Sequence, residues 1–208
     1  MKRRNFIKKT TIAGLSLSGL HLLNSCETET KKINQTYMGG FKASPIPQIK
    51  AAFIGVGDRG RIHARNFKSF NGTEVVGICD LYETRVNETI NSIKTENPIK
   101  GYWGKDNLWI KMIEDTKPDI VFISTNWDNH APMAIKSMEL GSHAFVEVPL
   151  ANSIEDLWRI VNTSEKTRKH CMMLENVNYG REELMFLNIC RKGLIGELIH
   201  GEAAYIHD

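Results

Sequence analysis

An order of segments near the chain's start constrains its fold more than any bulk property. IKAAFIGV (49–56) is a continuous apolar run, GVGDRG (55–60) a glycine turn, RGRIHARNFKSF (59–70) a helical stretch, and EVVGICD (74–80) a second apolar run. A doubly buried run, then a helix, then another such run is the pattern of parallel strands joined by a crossover. The alternation continues along the chain. Helices are expected at 81–94, at 107–116 with Asp106 as N-cap, and at 131–140 with Pro132 near the start and Gly141 past the end. Two more helices are expected. One runs over 153–168 with a Ser153/Asp156 capping box; the other runs over 181–192 and closes on Gly193. Strands are expected at 119–125, 143–147 and 170–175, with another beginning in 196–208. The fold class is α/β, a Rossmann-type doubly wound parallel sheet with the start of a second α+β domain at its C-terminal end. With 208 residues, 41% hydrophobic and 25% charged, the chain can build one core and a piece of another. The domain reading is 49–195 for the sheet domain and 196–208 for the beginning of a substrate domain, part of a longer protein.

Gly55, Gly57 and Gly60 have the G-x-G-x-x-G spacing, and Asp80 ends the next strand, 20 residues after Gly60. In that context each residue has a physical task. Gly55 permits the tight turn, Gly57 lets a pyrophosphate approach the backbone, and Gly60 lets helix and strand pack closely. The helix N-terminus offers unpaired N–H groups and partial positive charge. Asp80 can accept hydrogen bonds from a ribose diol and repels a 2′-phosphate, which favours NAD. Arg85, one turn into the following helix, keeps NADP as the minority reading.

Residues 1–26 stand apart. They carry Lys2, Arg3, Arg4, Lys8 and Lys9, then the mildly apolar TTIAGLSLSGLHLL, and end on Cys26. The paired arginines resemble a twin-arginine export signal, and Leu23-Asn24-Ser25-Cys26 a lipoprotein cleavage box; an ordinary secretory signal without lipid is the alternative. The expectation is export, to the periplasm or to a lipid anchor on the membrane. Residues 27–48 read as a tether. The signal holds five of the 27 basic residues and none of the 24 acidic ones, leaving 22 against 24. The net charge of +3 therefore implies no nucleic-acid partner. Cys79, Cys171 and Cys190 show no metal-ligand spacing and read as buried free thiols, so no metal site is expected.

In such a sheet, ligands sit beyond the carboxyl ends of the strands. There lie Asp58 and Arg59, Asp80, NWDNH (126–130), EVP (147–149) and ENVNY (175–179). Taken singly, His130 could merely satisfy its turn, Trp127 could be rim packing, and Glu147 a solvated strand end. Their coincidence on one edge favours a site.

ISTNWDNHAPMAIKSMELGSHAFVEVPLANSIEDLW resembles the oxidoreductase superfamily named for glucose–fructose oxidoreductase and inositol dehydrogenase. That superfamily's usual signature at 147–149 is Glu-Lys-Pro, whose lysine assists hydride transfer from a sugar hydroxyl; here Val148 stands in its place. CMMLENVNYGREELMFLNICRKGLIGELIHGEAAYIHD closely resembles glycoside hydrolase family 109, the NAD-dependent α-N-acetylgalactosaminidases, in which a hydrophobic residue also follows the glutamate. Export by the twin-arginine route, which carries folded, cofactor-loaded proteins, agrees with this.

The resemblance implies hydrolysis by transient oxidation, an exception to the carboxylate-pair mechanism. NAD takes hydride from C3 of a terminal N-acetylgalactosamine, the ketone acidifies the C2 proton, elimination expels the aglycone, water adds, and the hydride returns. Asp58, Arg59, Asp80, Trp127, Asp128, Asn129, His130, Glu147, Val148 and Asn176 carry over as cofactor contacts, beside the glycines. Tyr205 carries over as a substrate contact. For acid–base work the candidates are Tyr179 first, then His207 and Glu147. A phenol is protonated at neutral pH, so Tyr179 as a base depends on surroundings that stabilise the phenolate; packing at a domain junction is its alternative role. A plain NAD-dependent sugar oxidoreductase and a non-catalytic NAD-binding fragment are the competing readings.

Overall fold

The computed structural model describes residues 37–93, 95 and 97–204. The export signal, Tyr205 and His207 lie outside the described residues. Among the described residues, six strands form one parallel sheet: β1 (Ile49–Ile54), β2 (Thr73–Asp80), β3 (Lys100–Trp103), β4 (Ile120–Ile123), β5 (His143–Val146) and β6 (Cys171–Met173). Their order is β3-β2-β1-β4-β5-β6, so the topology reverses between β1 and β4. This is the doubly wound order, with its ligand crevice at the reversal. The helices are α1 (Asp58–Lys68), α2 (Glu83–Ser92), α3 (Leu108–Thr116), α4 (Trp127–Glu139), α5 (Ile154–Thr167) and α6 (Arg181–Arg191).

Strand side chains alternate between two cores. Ala51, Phe53 and Phe122 face the side of α1 and α2, with Phe67 and Phe145 packed against them. Ala52, Ile54, Val121, Ile123, Ala144 and Val146 face the side of α3, α4 and α5. A bulge opposite Ala51 and Ala52 shifts the β2 register, so Val75 and Ile78 point to the same face although they are three residues apart.

The structure differs from the sequence reading at identifiable places. β3 was not expected: KGYW is four residues long, contains glycine, and is only half-buried, so it carries no apolar run. Helix α4 begins at Trp127, not Ala131. Asn126 is its extended N-cap, locked by Asn129 Nδ2 donating to Asn126 Oδ1 at 2.6 Å, and Pro132 is tolerated inside the helix. The α3 N-cap is Asn107, not Asp106, and its side chain makes no capping bond. Of the expected Ser153/Asp156 box the N-cap half is present: Asp156 N–H donates to Ser153 Oγ at 3.1 Å, while the Asp156 carboxylate accepts from Ser153 Oγ at 3.0 Å instead of from the Ser153 backbone N–H. Residues 197–204 form no strand: Leu198 and Ile199 are exposed, and among the described residues no strand edge hydrogen-bonds to them.

Residues 38–41, within the expected tether, are anchored. Phe41 meets the His170 ring at 4.9 Å, and the Arg168 guanidinium lies 4.3 Å over Phe41. His170 N–H in turn donates to His143 Nδ1 at 2.8 Å.

Candidate functional site

The carboxyl ends of β1, β2 and β4 enclose a cleft of about 660 Å³, lined among others by Gly55, Gly57, Asp80, Arg85, Ser124 and Asn129. The glycine turn is sterically required. Gly55 has φ of +79°, and a Cβ there would sit 2.5 Å from the Ser124 carbonyl oxygen. A Cβ on Gly60 would collide with the Gly55 carbonyl, so α1 packs on β1 only without one. Gly57 is different. A Cβ there would meet only Arg85 Nη1, at 3.9 Å, so the glycine leaves open space above the backbone.

Asp80, 9% exposed, ties this turn together. Its Oδ2 accepts from Val56 N–H at 2.8 Å and its Oδ1 from Tyr82 N–H at 3.1 Å. Arg85 Nη1 stands 3.8 Å from Oδ1 and lies over the Tyr82 ring. Asp80 therefore positions the turn as well as facing the cleft. Neighbouring Cys79 also lines the cleft. Burial, and then the adjacent Asp80 charge, push its thiol up to about 12, which leaves it a neutral wall.

These features suit a dinucleotide. The first turn of α1 has no side-chain cap on its N–H groups, Gly57 leaves room above them, and Ser124 Oγ is buried without a hydrogen-bond partner among the described residues. Donors and space for an anionic pyrophosphate thus coincide at the reversal of the sheet.

The second half of the edge is built around β5. Glu147 is 7% exposed, so it is no solvated strand end. Its Oε1 lies 2.6 Å from His63 Nε2 and 3.5 Å from Arg59 Nε. His130 is buried, with Nδ1 2.7 Å from the Pro149 carbonyl and Nε2 3.1 Å from the Thr125 carbonyl. It holds two turns together from behind the rim. Asp128 accepts from Asn152 Nδ2 at 2.8 Å, while Trp127 and Val148 are exposed at the rim. Asp58 is fully open to solvent beside Arg61. Past β6, Asn176 is exposed with its N–H donating to Glu175 Oε1, and Tyr179 is 74% exposed. The structure thus brings Arg59, Asp80, Asn129 and Glu147 to one edge and leaves Asn176 and Tyr179 at an open margin. Sequence reasoning missed His63 and Ser124. His63 was legible only as one turn beyond Arg59 on the same helix; Ser124 carried no signal.

Comparisons with known proteins agree with this geometry. Residues 49–175 match the model of the oxidoreductase family with an NAD-binding Rossmann fold, and residues 179–208 match the C-terminal domain of glycosyl hydrolase 109. A glycosyl hydrolase family 109 protein of Akkermansia muciniphila is 52% identical over 91% of this chain and 41% of its own length. The chain belongs to the oxidoreductase family with an NAD-binding Rossmann fold. Another relative, the alpha-N-acetylgalactosaminidase of Shewanella oneidensis, is 45% identical over 99% of this chain and 46% of its own length. The chain thus spans less than half the length of these relatives. The crystal structure of myo-inositol 2-dehydrogenase from Lactobacillus plantarum shares the fold, with a TM-score of 0.65 at 22% identity over 73% of this chain and 43% of that one. The described sheet is the oxidoreductase family's NAD-binding Rossmann domain.

Proposed function

We propose that the protein is a NAD-dependent glycosidase that releases terminal α-linked N-acetylgalactosamine, and that this chain supplies its cofactor-binding part. The observation that carries the reading is the turn at the end of β5. An intact glycine cradle stands beside a Glu147-Val148-Pro149 turn in which a half-exposed valine occupies the place of the dehydrogenases' lysine. A cofactor site without that lysine suits a cycle with no net oxidation. The A. muciniphila and S. oneidensis relatives support the hydrolytic assignment.

Bound NAD supplies a reversible hydride acceptor. The chain's residues would hold and orient it: the α1 N-terminus would take the pyrophosphate, Asp80 the ribose of the adenosine half, and Glu147 and Val148 would wall the other half. Trp127 and Asn129 stand at the rim; Tyr179 is the first candidate to move the C2 proton, with His207 and Glu147 the other acid–base candidates and Tyr205 the candidate substrate contact. Export through the 1–26 signal, with Cys26 as a lipidated N-terminus, belongs to the same proposal; mass spectrometry of the mature N-terminus tests it.

The test of function is incubation of the full-length protein with nitrophenyl α-N-acetylgalactosaminide and no added NAD. Cleavage, no net NADH, and solvent deuterium at C2 of the released sugar are expected. Stoichiometric NADH without C2 exchange would identify an ordinary sugar dehydrogenase.

A further inference from the structure

The Glu147-Val148-Pro149 turn is gripped from both faces of the sheet by a histidine. On the α4 side, the His130 ring holds the Pro149 carbonyl at 2.7 Å. On the α1 side, His63 Nε2 holds Glu147 Oε1 at 2.6 Å. The α1 grip follows from spacing. Arg59, His63 and Phe67 succeed one another at four-residue intervals and so share one helix face. That face lies on the sheet: His63 stacks with Phe122 at 6.1 Å and Phe67 meets the same ring edge-on at 5.5 Å. On β5, Phe145 lies on this face too, and Glu147, two residues on, follows the same parity. His63 and Glu147 therefore meet at the top of the aromatic core. A carboxylate accepts but does not donate, so His63 presents its Nε2–H to Glu147. The second carboxylate oxygen is left toward its own turn, with Val148 N–H at 3.4 Å.

This grip lies on the far side of the sheet reversal from Asp80. The adenosine half of a dinucleotide is accounted for by Asp80 and Arg85 beside β2. The nicotinamide half therefore falls on the β4–β5 side. We infer that His63 is a positioning residue for the nicotinamide half of the cofactor: it acts through Glu147 by fixing the 147–149 turn, and it does not touch the adenosine half. The inference rests on NAD binding by this domain and is independent of the glycosidase reading.

The two halves of the cofactor are separable as ligands, because ADP-ribose lacks only the nicotinamide. The experiment is calorimetric titration of the 208-residue chain with NAD and with ADP-ribose, for the wild type, His63→Ala and His63→Gln. The glutamine amide reaches about as far as Nε2 and still donates. For His63→Ala, NAD affinity is expected to fall about tenfold, the scale of one lost hydrogen bond to a charged group, with ADP-ribose affinity unchanged. His63→Gln is expected to restore most of the NAD affinity. Equal losses for both ligands would reduce His63 to a fold-supporting role, and undiminished NAD affinity, or no rescue by glutamine, would likewise overturn the inference. If the alanine variant does not melt cooperatively, His63→Asn replaces it: it keeps a polar side chain too short to reach Glu147, and the same NAD-to-ADP-ribose ratio decides.

Discussion

Beside β2, Asp80 is 9% exposed and bonded to two backbone amides; past β6, Tyr179 is 74% exposed and helix α6 buries none of its residues. Both regions lie at the same carboxyl edge of the same sheet. The first is finished by local chain: a glycine turn, its helix and the next strand supply the walls of the cleft. The second presents consecutive apolar residues, Leu184, Met185, Phe186 and Leu187, to solvent. Consecutive helical residues point in different directions, so this apolar surface runs around the helix, and a helix apolar on more than one side is built to be covered. These residues fall within the 179–208 stretch that matches the C-terminal domain of glycosyl hydrolase 109. The contrast separates two physical demands. Holding a pyrophosphate needs backbone N–H groups and close approach, which one βαβ unit provides. Enclosing a sugar needs walls from several directions.

The largest expected effect tests the finished region. Gly60→Ala places a Cβ against the Gly55 carbonyl, a backbone atom that cannot move without separating α1 from β1. A loss of about 2–3 kcal/mol in urea unfolding is expected, together with loss of NAD binding. Gly57→Ala is the control. Its Cβ meets only a flexible arginine tip, so stability is kept while NAD affinity, read by titration, falls. If both variants unfold alike, the distinction between a packing glycine and an approach glycine is wrong.

Asp80→Ala is expected to come next. It leaves Val56 and Tyr82 N–H without their acceptor, at a cost of about 1–3 kcal/mol of stability. It also removes the charge that opposes a 2′-phosphate and releases Arg85. The ratio of NAD to NADP affinity is expected to fall about tenfold, measured by paired titrations. An unchanged ratio would assign Asp80 to the turn alone.

In the open region, Leu184→Ser with Phe186→Ser is expected to leave NAD affinity of the 208-residue chain within about twofold, because neither residue lines the cleft. The same pair in the full-length protein is expected to lower Tm. An equal Tm would show that this face stays in water.

The smallest effect lies at the opposite edge of the sheet. Burial, and then Lys169 and His170, hold the His143 imidazole below its ordinary pKa, and its Nδ1 already accepts from His170 N–H. The unfolded chain therefore binds the proton more readily than the folded one. Stability is complete above the unfolded value, about 6.5, and is lost as the pH falls below it. His143→Asn is expected to flatten that decline in denaturant melts between about pH 7 and pH 5. A decline of the same slope in the variant would place its origin elsewhere.

Some of this molecule is determined by local sequence. A run buried on both faces has to be apolar throughout, a glycine turn leaves its spacing, and a crossover helix leaves its period; hence the parallel sheet, the cofactor cleft and Asp80 are readable along the chain. β3 was not, because a half-buried edge strand of four residues needs only one neighbour and so no apolar run. The start of α4 was not, because a lock between two asparagine side chains overrode the usual meaning of Pro132. Tertiary structure alone decided the fate of Glu147. Its number along the chain says only that a strand ends there; that it meets His63, 84 residues away, follows from strand parity, helix phase and sheet order acting together. Pairing at that separation has no periodicity to leave in a sequence, since it arises only once two elements are packed face to face.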